Sequence, residues 1–279
     1  MAATYLDRIL AAHRTAAADR TTRDLEVELE RARRAAPTRD FAAALTAAHR
    51  AGELGVIAEV KRRSPSKPDL AVGIDPAQLS VSYQAGGAAC LSVLTDAEFF
   101  GGSSGDLAAA GAATSIPVLR KDFTVCAADV VDARLMGADA VLLIAAALDD
   151  AELSDFHTLA AELDLDALVE IHDGAELERA LNVGASLIGV NQRDLVTFEV
   201  DTDRAVRLAP LMPDGVVRVA ESGVRSTADA RRLAEAGYHA VLVGESLVTA
   251  PDPAAAVSAL RSARHTGSAG RARATPTRG

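Results

Sequence analysis

The chain has 279 residues, enough for two small domains or one large α/β domain, with 39 acidic against 29 basic side chains, a net charge of −10 and only 3% aromatic residues. That balance excludes the basic, aromatic-studded surface of a nucleic-acid binder, and no apolar stretch approaches the roughly 20 residues of a membrane span. No charged-then-apolar leader with a cleavage site opens it, so the expectation is a cytoplasmic protein whose partner is a small molecule, with neither nucleic acid nor membrane.

Residues 4–16 have a helical pattern with Tyr5, Ile9 and Leu10 on one side. Residues 21–35 are charge-dense, with Leu25, Val27 and Leu29 as their few apolar members, and Pro37 ends them. This N-terminal helical extension, 1–45, reads as a surface cover or an oligomer contact without chemistry of its own, which leaves monomer or homodimer open. The next stretch, 55–66, is an apolar run that carries Glu59 and Lys61 near its end and breaks at Pro65. It reads as a short buried strand, and the two-residue period puts both charges on the face opposite Val60. Buried charges are costly unless paired or functional; the alternative is a solvated strand end with a surface ion pair.

From here one unit repeats. A helical segment ends at a Gly suited to a left-handed cap, and an apolar strand follows: Gly87 before Ala89–Leu94, Gly137 before Ala140–Ile144, Gly184 before Leu187–Val190, Gly237 before Ala240–Val243. Strands Pro117–Arg120, Ala167–Ile171 and Val216–Ala220 fit the same rhythm. With Val56–Val60 this makes eight strands at intervals of roughly 25–30 residues, each followed by a helical pattern. Apolar strands in series with helices indicate a parallel sheet, and closure over 46–264 into a single (β/α)8 TIM barrel is the natural solution. A doubly wound open sheet is the alternative, but no Gly-x-Gly-x-x-Gly follows the first strand. Cys90 and Cys126 make no metal-spaced set and read as small buried hydrophobes, and the Gly-, Ser- and Arg-rich tail 265–279 reads as disordered.

A barrel carries its chemistry at the C-terminal ends of its strands. Those positions hold Glu59, Lys61 and Ser64; Phe99 and Phe100; Lys121 and Phe123; Glu170; Asn191 and Arg193; Glu221, Ser222 and Gly223; and Gly244, Glu245 and Ser246. The opposite ends, at Val56, Cys90, Val118, Val141, Leu187 and Val217, are apolar. After strands seven and eight, a small residue and a Gly at the expected start of the next helix suit a phosphate, although ordinary tight turns would look alike. Lys61, Lys121, Glu59 and Glu170 form an acid/base set, and no cluster has metal spacing; His172, one of six histidines, reads as a loop residue. Proton transfer on a bound phosphorylated substrate is the chemistry that remains.

These segments resemble a known family. Ile57-Ala58-Glu59-Val60-Lys61-Arg62-Arg63-Ser64-Pro65-Ser66 is similar to the signature of indole-3-glycerol phosphate synthase. The likeness continues through Phe99-Phe100-Gly101-Gly102-Ser103, Pro117-Val118-Leu119-Arg120-Lys121-Asp122-Phe123, Leu168-Val169-Glu170, Gly189-Val190-Asn191-Gln192-Arg193-Asp194-Leu195, Ala220-Glu221-Ser222-Gly223 and Val243-Gly244-Glu245-Ser246, from about residue 4 to about 260. The resemblance implies a carboxy-lyase of tryptophan biosynthesis that needs no metal or organic cofactor. It would turn 1-(2-carboxyphenylamino)-1-deoxyribulose 5-phosphate into indole-3-glycerol phosphate, carbon dioxide and water. By position it implies Lys121 as general acid, Glu170 as its acid/base counterpart, and Lys61 on the departing carboxylate. Glu59 and Asn191 would orient the substrate and the lysines, and Ser222 would join this catalytic set. Ser64, Ser222, Gly223, Gly244 and Glu245 would line the phosphate end, Arg193 and Glu221 would touch substrate, and Phe100, Phe123, Leu142 and Leu195 would form an apolar wall. One departure stands out: Lys67-Pro68-Asp69-Leu70 replaces a Gly-containing loop, so turnover or product release is expected to differ while the reaction type does not. An isomerase of a neighbouring pathway, a paralogue serving a dedicated indole pathway, and a catalytically idle binding protein remain the rival readings.

Overall fold

Short runs of Val, Leu, Ile and Ala form eight parallel strands that hydrogen-bond in sequence order, and the eighth returns to the first to close a barrel. The computed structural model describes residues 4–19, 25–64, 67 and 69–263. Three helices come first: α1 (Tyr5–Asp19), α2 (Leu25–Arg33) and α3 (Phe41–Arg50). Then strand and helix alternate: β1 (Gly55–Val60), α4 (Pro76–Ala85), β2 (Cys90–Leu94), α5 (Ser104–Ala113), β3 (Val118–Lys121), α6 (Ala127–Leu135), β4 (Ala140–Ile144) and α7 (Asp150–Glu162). The second half runs β5 (Asp166–Ile171), α8 (Gly174–Asn182), β6 (Leu187–Asn191), α9 (Arg204–Leu208), β7 (Val217–Glu221), α10 (Thr227–Glu235), β8 (Ala240–Val243), α11 (Glu245–Val248) and α12 (Pro253–Arg261).

All eight predicted strands form, within a residue or two of their expected bounds. β3 starts at Val118, one residue later than expected, because Pro117 has no N–H to give the ladder. β6 and β7 run one residue further than expected, so that Asn191 and Glu221 pair as neighbours at the barrel's end. The glycines expected to cap helices do so: Gly87, Gly137, Gly184 and Gly237 have φ of 88°, 85°, 79° and 91°. The tail 265–279 and Pro68 lie outside the described residues.

Strand alternation divides the apolar residues into two cores. Val56, Ala58 and Val60 of β1 face the surrounding helices, whereas Ile57 faces the barrel axis. Ile57, Leu119, Leu168 and Val219, from β1, β3, β5 and β7, are fully buried together in the inner core, the alternate-strand layering expected of this barrel. α3 plugs the N-terminal end, where Phe41 and Leu45 are fully buried in the same cluster. Asp40 caps α3 by accepting from the Ala43 N–H at 2.7 Å, and the Asp166 carboxylate accepts from the Ala42 N–H at 2.9 Å. α1 packs against the opposite end, with Leu6 and Ile9 joining Phe123, Leu142 and Ile144.

Cysteine placement corrects one expectation. Cys90 is a buried inner-core residue, but Cys126 is only partly buried; it caps α6, with its Sγ 3.4 Å from an Asp129 carboxylate oxygen. An N-cap must lie at the helix entrance, which the Ala-rich surroundings did not reveal.

Asp139 ties the N-terminal segment to the barrel. Its carboxylate accepts from the Arg39 backbone N–H at 2.7 Å, the Arg39 Nε at 2.9 Å and the Val118 N–H at 2.7 Å. Asp139→Ala leaves the part-exposed Arg39 guanidinium with only the Gly111 and Thr114 carbonyls and strands the buried Val118 N–H, and is expected to cost about 2–3 kcal/mol of stability. Urea unfolding measures this, and a loss under about 1 kcal/mol would remove the tie from the account.

Candidate active site

The inward residue two positions above each member of the Ile57–Leu119–Leu168–Val219 layer is charged. Glu59, Lys121, Glu170 and Glu221 thus form the next layer, at the C-terminal end of the same four strands. Lys121 Nζ donates to Glu170 Oε2 at 2.8 Å and to Glu221 Oε2 at 2.6 Å. Asn191, at the end of β6, donates its Nδ2 to Glu170 Oε1 at 3.0 Å. Lys61, two residues above Glu59, is hydrogen-bonded to it, as the shared face of β1 requires. The three carboxylates are nearly dry, with Glu59, Glu170 and Glu221 at 4%, 2% and 1% exposure, while both lysines are partly buried. The surface ion-pair alternative for Glu59 and Lys61 is therefore excluded.

Three carboxylates against two ammonium groups, Lys121 and Lys61, leave excess negative charge in a medium that solvates it poorly. Burial alone would lower the Lys121 pKa, but Glu170, Glu221 and Glu59 outweigh it and raise it well above the ordinary lysine value, so the ammonium persists. The two glutamates separate. Burial pushes Glu170 up, but the Lys121 ammonium, the His172 ring and the Asn191 amide overcome it and bring the carboxyl down to about 2. Glu221 is raised to about 7 by burial and by the Glu170 charge, against the pull of Lys121. The asymmetry has a visible source: both Glu170 oxygens have donors, whereas Glu221 Oε1 is buried without a hydrogen-bond partner. Room for that oxygen comes from Gly189, where a Cβ would overlap Glu221 Oε1; a Cβ at Gly244 would likewise overlap a Glu59 oxygen.

These residues form the floor of a cavity open at the C-terminal end of the barrel. Ser64, Phe100, Phe123, Leu142, Arg193, Leu195, Ser222, Gly223, Gly244 and Glu245 line it as well, so every sequence-predicted site residue is brought to one place. Local geometry differs from expectation at the presumed phosphate turns. α10 begins at Thr227, so Ser222 and Gly223 form a left-handed turn, φ 65° and 77°, rather than a helix start. Glu245 does open a helix, the four-residue α11, and its side chain accepts from Lys67 Nζ at 2.6 Å across the mouth. Ser246 donates its hydroxyl to the Val224 carbonyl at 3.1 Å. Arg193 is held by its NH1 on the Phe198 carbonyl at 3.0 Å and by its own N–H on the Asn191 side chain at 3.0 Å.

Sequence reading missed part of the wall. Tyr5, Leu6 and Ile9 of α1 line the cavity, correcting the assignment of the N-terminal arm to surface cover or oligomer contact alone; Phe198 and Arg225 also line it. The apolar side of α1 was visible in the sequence, but not the surface it covers. α1 is secured by His13, whose Nε2 lies 2.9 Å from Asp96 Oδ2 and 3.9 Å from Asp122 Oδ1. These three are the one group among the described residues with metal-ligand proximity. Asp96 also accepts the Phe99 and Phe100 N–H groups, and Asp122 holds Arg120 and Thr95, so the trio is committed to holding α1 and two loops.

Comparison with known proteins points one way. The sequence model of a family described as indole-3-glycerol phosphate synthase matches residues 6–260. Proteins of that name from a Polaromonas species and from Mycolicibacterium vanbaalenii are 48% and 50% identical, covering 91% and 92% of this chain and 97% and 94% of theirs. One from a Nocardioides species is 57% identical over 75% of this chain and 80% of its own. A solved thiamine phosphate pyrophosphorylase from Pyrococcus furiosus shares the fold alone, with a TM-score of 0.58 and 16% identity over 75% of this chain and 95% of that one.

Folding raises the Glu221 pKa above its ordinary 4.5, so its contribution is fully favourable below pH 4.5 and is lost as pH rises toward 7. Glu221→Gln cannot ionise, and should gain stability relative to the wild type between about pH 5 and about pH 8. Parallel denaturation curves at the two pH values test this; a mutant-to-wild-type difference independent of pH would show that Glu221 is ionised throughout.

Proposed function

The chain belongs to the indole-3-glycerol phosphate synthase family, and from that premise we propose how its own residues close the indole ring. The enzyme is a carboxy-lyase of tryptophan biosynthesis: it converts 1-(2-carboxyphenylamino)-1-deoxyribulose 5-phosphate to indole-3-glycerol phosphate with loss of carbon dioxide and water. The observation that carries the residue assignment is the Lys121 ammonium fixed between two buried carboxylates.

When the ring carbon attacks the ketone, negative charge develops on the ketone oxygen. An ammonium beside that oxygen stabilises it and transfers a proton, because an alkoxide is more basic than even a strongly paired lysine. Lys121 is assigned this role. Its two carboxylate contacts aim Nζ into the cavity and favour its charged form; after its first donation the amine takes a proton from solvent, the one proton the overall reaction consumes, and then protonates the hydroxyl that leaves as water. Glu170, ionised and gripped by Asn191 and Lys121, accepts the proton released as the indole double bond forms. Lys61 pairs with the substrate carboxylate until decarboxylation, and Glu59 orients it. Arg193 and Glu221 bound the reacting end. Phe100, Phe123, Leu142 and Leu195 give the anthranilate ring an apolar wall, which also excludes water from the charged layer.

Ser64, Ser222, Gly223, Gly244 and Glu245 take the phosphate end. Pairing of the Glu245 carboxylate with Lys67 supports this, because it removes a repelling charge from the phosphate's approach. No metal or organic cofactor enters these steps. The catalytic residues belong to the barrel, 46–264, with the 1–45 extension adding wall through α1, so one chain suffices for a site whether it acts alone or as a homodimer. A net charge of −10 argues against a nucleic-acid partner, and a cytoplasmic setting suits an amino-acid biosynthetic enzyme.

The test is indole fluorescence on mixing the protein with the carboxyphenylamino deoxyribulose phosphate. Wild type is expected to give signal, and Lys121→Ala to lose about 10²–10⁴-fold in kcat while remaining folded by circular dichroism. A folded wild type without signal would move weight to another substrate, and a fully active Lys121→Ala would remove the assigned acid.

A further inference from the structure

Glu170 has a neighbour that the reaction scheme leaves unused. His172 follows β5 directly, and its ring is clamped: Nδ1 lies 3.0 Å from Glu176 Oε2, which also accepts the His172 backbone N–H at 2.7 Å. Glu176 is itself fixed in the first turn of α8, where its N–H donates to Asp173 Oδ1 at 2.9 Å. With Nδ1 committed to a carboxylate, the ring must turn Nε2 toward the barrel. There Nε2 is buried, has no hydrogen-bond partner, and lies 3.8 Å from Glu170 Oε1. His172 is not part of the cavity wall, so it approaches Glu170 from behind, away from where substrate binds.

The groups around this ring are Glu170 on β5, Glu176 on α8 and Arg204 on α9, whose NH1 donates to the Asn191 carbonyl at 2.9 Å. Burial and Arg204 disfavour the charged ring, but the two carboxylates prevail and its pKa is raised above the ordinary 6.5. A charge at this place has a use. The substrate brings a carboxylate and a phosphate into a layer already rich in negative charge, and both push the Glu170 pKa upward in the complex. A base that must be ionised then needs a cation that keeps its charge through the reaction, whereas Lys121 loses its charge each time it donates a proton.

Resting on the assignment of Glu170 as the base, we propose that His172 is a positioning residue for the reaction: its imidazolium, clamped by Glu176, sits behind Glu170 and keeps that carboxylate ionised and aimed at substrate. It neither touches substrate nor lies on the proton's path.

Two measurements decide this. In the NMR titration of the whole protein without substrate, His172 should titrate above pH 6.5, and Glu170→Gln should lower that value. In the kinetic assay, His172→Gln should move the acid limb of kcat upward by about 1–3 units while KM changes by less than about twofold. His172→Lys, which restores a cation, should return the limb toward wild type. A merely structural His172 would lower kcat at every pH alike, and lysine would not rescue it. A kcat profile for His172→Gln that superimposes on wild type in shape, or a His172 titration indifferent to Glu170→Gln, overturns the proposal. Should wild type form no indole product, the functional assignment fails separately, and the titration alone decides whether the coupling exists.

Discussion

One buried ammonium, shared by two carboxylates, sets the constraints for the rest of the molecule. Lys121 on β3 meets Glu170 on β5 and Glu221 on β7, so three strands must hold their relative heights closely for a single nitrogen to reach both oxygens at 2.8 and 2.6 Å. A closed barrel supplies that rigidity, because alternate strands contribute to the same layer and no edge is free to slip. The apolar layer of Ile57, Leu119, Leu168 and Val219 lies beneath as a dry floor. Below that, α3 seals the barrel with Phe41 and Leu45. Net stabilisation from such a charged layer is small or negative, since desolvation offsets the attraction. The apolar layers and the helix-facing core supply the stability that lets the charged one persist.

The separation of the two glutamates follows from the same constraint. Equal carboxylates sharing one cation would be equally acidic in a symmetric site. Here Asn191 and His172 stand on the Glu170 side, and Glu221 Oε1 has no donor. The surroundings assign one carboxyl to the ionised state and leave the other close to neutrality, so chemically identical side chains enter the reaction in different forms.

Much of this was legible in the sequence because it is local. Strand runs, helix-ending glycines and the charge at each strand's end need only a few neighbouring residues to be read, and once a barrel is assumed the strand ends must converge. Residues that act across chain distance were not legible. Tyr5 and Ile9 formed a visible apolar stripe, but nothing near them says that it faces a cavity built from residues up to Ser246. His172 sits beside Glu170 in the chain, yet its bearing depends on Glu176 in the first turn of α8. The start of α10 at Thr227 is likewise a tertiary outcome: the Ser222–Gly223 turn carries the chain past the cavity before a helix can begin.

Gly189 and Gly244 carry a further consequence. Each leaves volume to a carboxylate oxygen, and any other residue would place its Cβ where that oxygen now sits. These two positions therefore tie the choice of residue to the pose of an acid, because a side chain at either one would displace the tip of Glu221 or Glu59. A change at either glycine would thus act on the chemistry at one remove, by re-aiming a carboxylate that the substitution itself never replaces.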